Sequence, residues 1–230
     1  MNIDLSIIVP VLEEAGGILD ALSALAALRR RGAEIVVADG GSTDATVALA
    51  RPLADRIVVA PRGRGAQMNA GAAAASGAVL LFLHADTRLP DDADSLVREG
   101  LVQSGRAWGR FDLRIAGAHP LLPLIAAMVN LRSRATGIAT GDQAMFMTRA
   151  AFAAGFPDIP LMEDIAMSKR LKRLGPPLCI AAPVVTSGQR WESHGVLRTI
   201  LLMWWLRFAF SFGANPVQLA RHYGYAPRQP

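Results

Sequence analysis

The sequence predicts an α/β fold: a mostly parallel sheet with helices on both faces and a helical appendage at the C-terminal end. Three observations predict it. Residues 5–10, 34–39, 57–60 and 78–83 are short, continuous apolar runs, the pattern of strands buried on both faces. Stretches with helical spacing separate them. Two of the runs stop at carboxylates, in Asp39-Gly40-Gly41-Ser42-Thr43-Asp44 and in His84-Ala85-Asp86-Thr87. In parallel sheets ligands bind beyond the carboxyl ends of the strands, and carboxylates there suit a ribose, a base edge or a cation holding a diphosphate.

Taken in order, residues 13–31 carry leucines and alanines at helical spacing until Gly32 stops them. Thr43 and Asp44 offer an N-cap and early negative charge for a short helix ending near Pro52. Gly63 to Gly65 read as a turn that holds Arg64, and residues 66–75 as a small-residue helix able to pack close to the sheet. This β-α-β-α-β-α-β run fills residues 1–90 and implies right-handed crossovers. The second half is less regular. Residues 108–115 alternate like a half-exposed strand, 120–134 read as a helix, 144–148 as a short strand, and 162–174 as a helix closed by Gly175. Residues 196–213 hold Ile200-Leu201-Leu202-Met203-Trp204-Trp205-Leu206 between Arg198 and Arg207. That stretch is far shorter than the ~20 residues of a bilayer span, whereas paired tryptophans beside arginines suit a helix lying in the membrane interface. A buried helix or a homodimer contact is the alternative use.

With 230 residues, 52% hydrophobic and 19% charged, the chain fits one substantial domain with an appendage and excludes extensive disorder. The division expected is a catalytic domain over 1–195, with a nucleotide-binding half (1–90) and an acceptor half (91–195), then an apolar helix and tail over 196–230. A net charge of +5 suits phosphorylated ligands or an anionic membrane surface and does not by itself indicate nucleic acid. The single cysteine, Cys179, excludes an intrachain disulfide and a multi-cysteine metal site, and fits a reducing compartment. Met1-Asn2-Ile3-Asp4 shows no secretory signal. The expected location is cytoplasmic, peripheral on the inner face of the plasma membrane if the C-terminal helix meets lipid.

The candidate site residues have their own chemistry. The Asp39 carboxylate could accept from a ribose hydroxyl or a uracil N–H; a plain turn aspartate is the other use. Arg64 could reach a base or a phosphate. Met68 stands where a dinucleotide fingerprint needs its third glycine. Glu163 and Asp164 open a helix whose far end carries Lys169, Arg170, Lys172 and Arg173. Dipole matching accounts for that order, and so does a general base, because single in-line displacement needs one carboxylate opposite the leaving group.

Together these motifs resemble family 2 glycosyltransferases. Ser6-Ile7-Ile8-Val9-Pro10 followed by Glu13 and Glu14, the Asp39 to Asp44 cluster, Arg64 with Asn69-Ala70-Gly71, and His84-Ala85-Asp86-Thr87 look like the nucleotide-binding half. Gly141-Asp142-Gln143-Ala144-Met145-Phe146, Glu163-Asp164 and Gln189-Arg190-Trp191 look like the acceptor half. Within the family the chain looks most like a small subgroup associated with selenium-domain or arsenosugar loci. The resemblance implies a GT-A, Rossmann-like fold and an inverting transfer of one sugar from a nucleotide-diphosphate sugar to a hydroxyl acceptor, either a small molecule or lipid-linked. It places Pro10, Glu13, Asp39, Arg64, Ala85 and Arg190 at the donor, and Gly141, Asp142, Gln143 and Trp191 at the acceptor. Asp164 becomes the base with Glu163 in support, and Asp86 with His84 the holders of Mg²⁺ or Mn²⁺. His84 replaces the family's usual first acid; a coordinating imidazole would favour Mn²⁺, and a hydrogen-bonded structural histidine is the alternative. Gln189-Arg190-Trp191 is shorter than the Q-x-x-R-W element of processive members, so a single transfer is expected. A nucleotidyltransferase is one rival, but it needs a basic, glycine-rich loop where Pro10-Val11-Leu12-Glu13-Glu14 is acidic. A non-catalytic, membrane-associated nucleotide-sugar binder is the other, suggested by His84 and Trp204-Trp205.

Overall fold

A computed structural model describes residues 4–225, apart from the side chains of Arg190 and His194. Strand β1 (Leu5–Val11) buries every residue except the half-buried Pro10, and its alternation sends side chains to two cores. Leu5, Ile7, Val9 and Val11 join one cluster with Ile18, Leu22, Leu25 and Leu28, while Ile8 joins another with Met68, Ala72, Leu80 and Phe82. The helices behind these side chains are α1 (Ile18–Ser23) and α2 (Ala26–Arg30) on one face and α4 (Arg64–Ala74) on the other. Short α3 (Thr46–Ala50) joins the first face through Ala50. Both faces are covered, so the strands need no polar side.

β1 lies between β2 (Glu34–Asp39) and β4 (Val79–Phe82), and β3 (Arg56–Val59) flanks β2, all in parallel. Beyond β4 come β7 (Phe146–Thr148), β6 (Trp108–Ala116), β8 (Leu178–Ser187) and β5 (Thr87–Arg88), giving the order β3-β2-β1-β4-β7-β6-β8-β5. β7 is antiparallel to both neighbours, β6 and β8 pair in parallel, and β5 is antiparallel to β8. Four of the seven pairings are therefore parallel, and the sheet is continuous through both halves of the chain. Because β7 reverses between β4 and β6, the C-terminal ends of β1, β2, β4, β6 and β8 share one edge. The site lies on that edge.

Several elements differ from the sequence expectation. The helix expected over 13–31 starts only at Ile18, after Gly16 and Gly17, and breaks where Leu25 N–H bonds the carbonyl of Leu22, a 3-10 step between α1 and α2. Thr43 is not the cap of α3: its N–H and hydroxyl go to Glu13, and Asp44 receives Thr46 N–H instead. Arg64 and Gly65 belong to the first turn of α4 rather than to a preceding loop. β6 is buried over Trp108–Phe111, including Arg110 at 0% exposure. Arg110 is tolerated there because its guanidinium donates to the Asp112 carboxylate and to the carbonyls of Phe111 and Asn130. The residues alternate as a half-exposed strand would, but β7, β8 and helix α6 (Leu122–Thr136) enclose this end of β6.

The remaining helices are α5 (Ala93–Ser104), α7 (Glu163–Leu171), α8 (Gln189–His194), α9 (Val196–Ser211) and α10 (Pro216–His222). The helix expected over 162–174 ends as a 3-10 turn, Lys172–Leu174, before Gly175. Leu206 of α9 is fully buried with Met162, Ile165 and Leu219, which fastens α9 to the start of α7. Among the described residues no helix is long and apolar enough to cross a membrane.

Candidate active site

At the shared strand edge is a cleft of about 290 Å³. Pro10 and Glu14 reach it from the end of β1, Arg64 from the start of α4, and His84, Ala85 and Asp86 from the loop after β4. Opposite stand Gly141 and Asp142 of a 3-10 turn (Gly141–Gln143), and Glu163 and Asp164 at the head of α7. Trp191 closes one side, and Arg207 and Tyr223 come from the C-terminal helical region. A larger hollow of about 700 Å³ lies at the opposite end of β4. Its Arg149 is committed to the carbonyls of Ala72, Ala75 and Gly77, and the hollow lies away from the carboxylates gathered in the cleft.

The two carboxylates of α7 are held differently. Asp164 accepts Gly141 N–H at 2.8 Å through Oδ2 and Ile165 N–H at 2.7 Å through Oδ1. Burial nevertheless raises its pKa above the ordinary aspartate value, outweighing those bonds, and the Asp142 charge adds to the rise. Glu163 is 5% exposed, with Arg64 Nη1 3.9 Å away. Burial and then the Asp164 charge raise its pKa too, against the pull of Arg64. A carboxylate kept basic and aimed into a cleft is what general-base chemistry requires.

His84 Nδ1–H donates to the Asp142 carboxylate, Nδ1 to Oδ1 at 3.2 Å. Its Cε1–Nε2 edge packs so near Gly141 that a Cβ there would lie 2.5 Å from the ring. This geometry favours the hydrogen-bonded structural role: His84 seats the 141–142 turn, whose N–H in turn holds Asp164. Asp86 is exposed, and its carboxylate accepts from the Thr87 hydroxyl at 3.1 Å. Burial raises the Glu14 pKa, with the Asp86 charge the next cause and the Arg64 charge opposing them, so these two carboxylates are close enough to repel each other. Among the described residues no group of three or more His, Cys, Asp or Glu gathers to hold a metal ion. The donor set fits a cation held by one or two carboxylates plus substrate phosphates, as Mg²⁺ commonly is.

Backbone strain collects here as well. Glu13, Ala144 and Met162 have φ of 55°, 45° and 70°, and each lies within two residues of a cleft-lining position. Such conformations cost on the order of 1–3 kcal/mol each and persist where the surroundings fix them, often at functional sites. Met162 turns the chain so that the next two residues, the acids, open α7.

Ten of the residues singled out in the sequence meet in the cleft: Pro10, Arg64, His84, Ala85, Asp86, Gly141, Asp142, Glu163, Asp164 and Trp191. Three do not line it. Asp39, 2% exposed, spends its carboxylate on the N–H groups of Gly41 and Ser42. Glu13 accepts from Thr43, so Glu14 rather than Glu13 faces the cleft. Gln143 is fully buried, and its amide bonds Thr140 N–H and Asn130. The Arg190 side chain lies outside the described residues. Sequence reasoning missed Arg207 and Tyr223, because nothing local told that the C-terminal helices fold back over the site.

A Rossmann-like sheet with a carboxylate-lined cleft at its strand ends defines an α/β protein that binds its ligand beyond the carboxyl ends of the strands. Residues 6–152, more than half of the chain, match the profile of glycosyl transferase family 2, and the chain belongs to that family. No curated protein matches it. Among solved structures it is similar to S. aureus TarS 1–349, with a TM-score of 0.65 at 16% identity over 80% of this chain and 60% of that one. It is also similar to the mannosyltransferase PcManGT from Pyrobaculum calidifontis in complex with GDP-Man and Mn²⁺ (TM-score 0.61, 21% identity, 81% of this chain and 57% of that one). Glucosyl-3-phosphoglycerate synthase from Mycobacterium tuberculosis with Mn²⁺, UDP and glucosyl-3-phosphoglycerate gives 0.57 at 20% identity, over 80% and 71%. These likenesses establish the GT-A fold. The chain spans less than two thirds of the length of the TarS and PcManGT chains.

Proposed function

We propose that the protein transfers one sugar from a nucleotide-diphosphate sugar to a hydroxyl acceptor, with inversion at the anomeric carbon. The observation that carries this is the pair Glu163 and Asp164, buried and basic, across the cleft from Asp86. Asp164 removes the acceptor proton as the oxygen attacks, and the Gly141 N–H keeps its carboxylate aimed. Glu163 and Arg64 form the wall beside it. Pro10, Arg64 and Ala85 lie on the nucleotide side, Glu13 and Asp39 shape the adjoining loop, and Arg190 is assigned to the diphosphate. Asp86, with Glu14 nearest, would hold Mg²⁺ or Mn²⁺, which when bound neutralises charge on the departing diphosphate. Similar structures that contain UDP-GlcNAc, or GDP-Man with Mn²⁺, support this reading. The catalytic unit is assigned to 1–195, within the selenium-domain or arsenosugar-associated subgroup, and the helix over 196–213 to peripheral contact with the inner face of the plasma membrane.

The test is thermal melting with UDP, GDP and TDP, each with and without Mn²⁺, followed by transfer assays with the sugar donors. A nucleotide at about 100 times its dissociation constant adds roughly 2.7 kcal/mol of stability, and the product carries an inverted anomeric centre. No shift with any nucleotide removes the donor site, and retention removes the single displacement.

A further inference from the structure

Arg207 lines the cleft and also a second, open groove of about 470 Å³, whose other walls are Arg132, Trp204, Trp205 and Phe208. The groove therefore opens beside the transfer site and shares a cation with it. Arg132 comes from α6, and its Nε and Nη2 are buried without any hydrogen-bond partner. Native proteins seldom leave guanidinium N–H groups in this state, because the loss of hydration goes uncompensated. Burial lowers the Arg132 pKa, with the Asp164 charge working against that and the Arg110 charge adding to it. Next to these cations the groove is aromatic: Trp204, Trp205 and Phe208 are all exposed. A guanidinium with unused donors calls for an oxyanion, with which it forms short, charge-assisted bonds. Exposed indoles and a phenyl ring in line with it call for an apolar chain.

We propose that this groove anchors the acceptor, and that the acceptor is a hydroxyl-bearing lipid phosphate: its phosphate lies between Arg207 and Arg132, its chain runs along Trp204, Trp205 and Phe208, and its free hydroxyl enters the adjoining cleft, where Asp164 takes its proton. This rests on the glycosyl-transfer reading of the adjoining cleft. Charge complementarity and continuity with the cleft select this occupant over a purely apolar one, which would leave the Arg132 donors unpaired. They select it over a small soluble phosphate, which would leave the aromatic wall uncovered.

The experiment is a titration of the full chain with decyl phosphate below its micelle concentration, read by tryptophan fluorescence, beside decanol and inorganic phosphate. Decyl phosphate saturates the signal with at least ten-fold higher affinity than either control. Arg207→Gln and Arg132→Met each weaken it ten-fold or more, and Arg132→Met, which lies outside the cleft, keeps the melting shift with UDP or GDP and Mn²⁺. Equal affinity for decanol, an equal response to inorganic phosphate (an adventitious ion only), or undiminished binding in Arg207→Gln overturns the proposal; that variant decides the matter should Arg132→Met not fold. A wild-type protein that binds no nucleotide overturns the cleft reading instead, and the two failures are read in separate assays.

Discussion

At the residue scale, the most consequential pair is Glu163 and Asp164, because one property governs both their chemistry and their cost. Burial raises both pKa values, and a neighbouring acid adds to each rise, Asp164 for Glu163 and Asp142 for Asp164. A base with a raised pKa loses activity on acidification earlier than an ordinary carboxylate, so the acidic limb of kcat/KM lies above the usual aspartate range. Asp164→Asn lowers turnover by roughly 10²–10⁴ with nucleotide binding kept; steady-state rates and melting with UDP or GDP check both parts. Survival of activity in Asp164→Asn together with its loss in Glu163→Gln would move the base to Glu163. The stability consequence has the opposite sign to a salt-bridged acid. With the folded pKa raised, the unfolded chain releases its proton first, so stability is present below the ordinary value of 4.5 and falls as pH rises through the folded pKa. Glu163→Gln removes that slope. In urea unfolding the variant is therefore more stable than the parent at about pH 8 and gains little at about pH 4; equal gains at both would show that charge is not the cause.

At the element scale, α4 shows how the nucleotide half is built from small residues. A Cβ on Gly71 would sit 2.4 Å from Ile8 Cγ2 and 3.4 Å from Ala38 Cβ, so the helix rests directly on β1 and β2. Alanine gains up to about 1 kcal/mol of helix propensity over glycine, but overpacking a filled core costs typically about 1–3 kcal/mol. Gly71→Ala is thus net destabilising, which urea unfolding measures; a more stable variant would mean that the contact yields. This half was legible in the sequence because buried parallel strands have continuous apolar runs and their ends carried the acids. The acceptor half was less so. β8 contains Pro183, which argues against a strand. The proline sits where the β6–β8 register shifts between Phe111 and Asp112, an irregularity that composition does not announce. α5 did carry a signal, with Ala93, Val97 and Leu101 buried at four-residue spacing. Within the site, residues fixed by a local strand end or helix start were legible. Arg132 and Arg207 were not, because only the packing of α9 against α7 brings the C-terminal region to the cleft.

At the scale of the whole molecule, the apolar side chains left outside are not scattered. On α9 and its C-cap, Leu197, Leu201, Trp204, Trp205, Phe208 and Phe212 are all exposed, Phe212 at 77%, and their spacing of three, four and one places them on one face. On α6 and its N-cap, Leu121, Leu124, Met128 and Leu131 repeat the pattern, and Arg132 brings that helix to the groove beside Trp204. An apolar surface of this kind needs a partner, which is either lipid or a second copy of the chain. The net charge of +5 and the arginines at 198 and 207 favour an anionic bilayer, with indoles at headgroup depth. Co-sedimentation with vesicles containing phosphatidylserine therefore shows binding that weakens as salt is raised, since the charge contribution is screened, and that is lost in the Trp204→Ala, Trp205→Ala double variant. Both indoles are about half exposed, so their removal leaves the buried Leu206 contact with α7 in place and the melting temperature nearly unchanged. Should the double variant instead keep its lipid binding but run as a smaller species in light scattering, the face is a dimer interface.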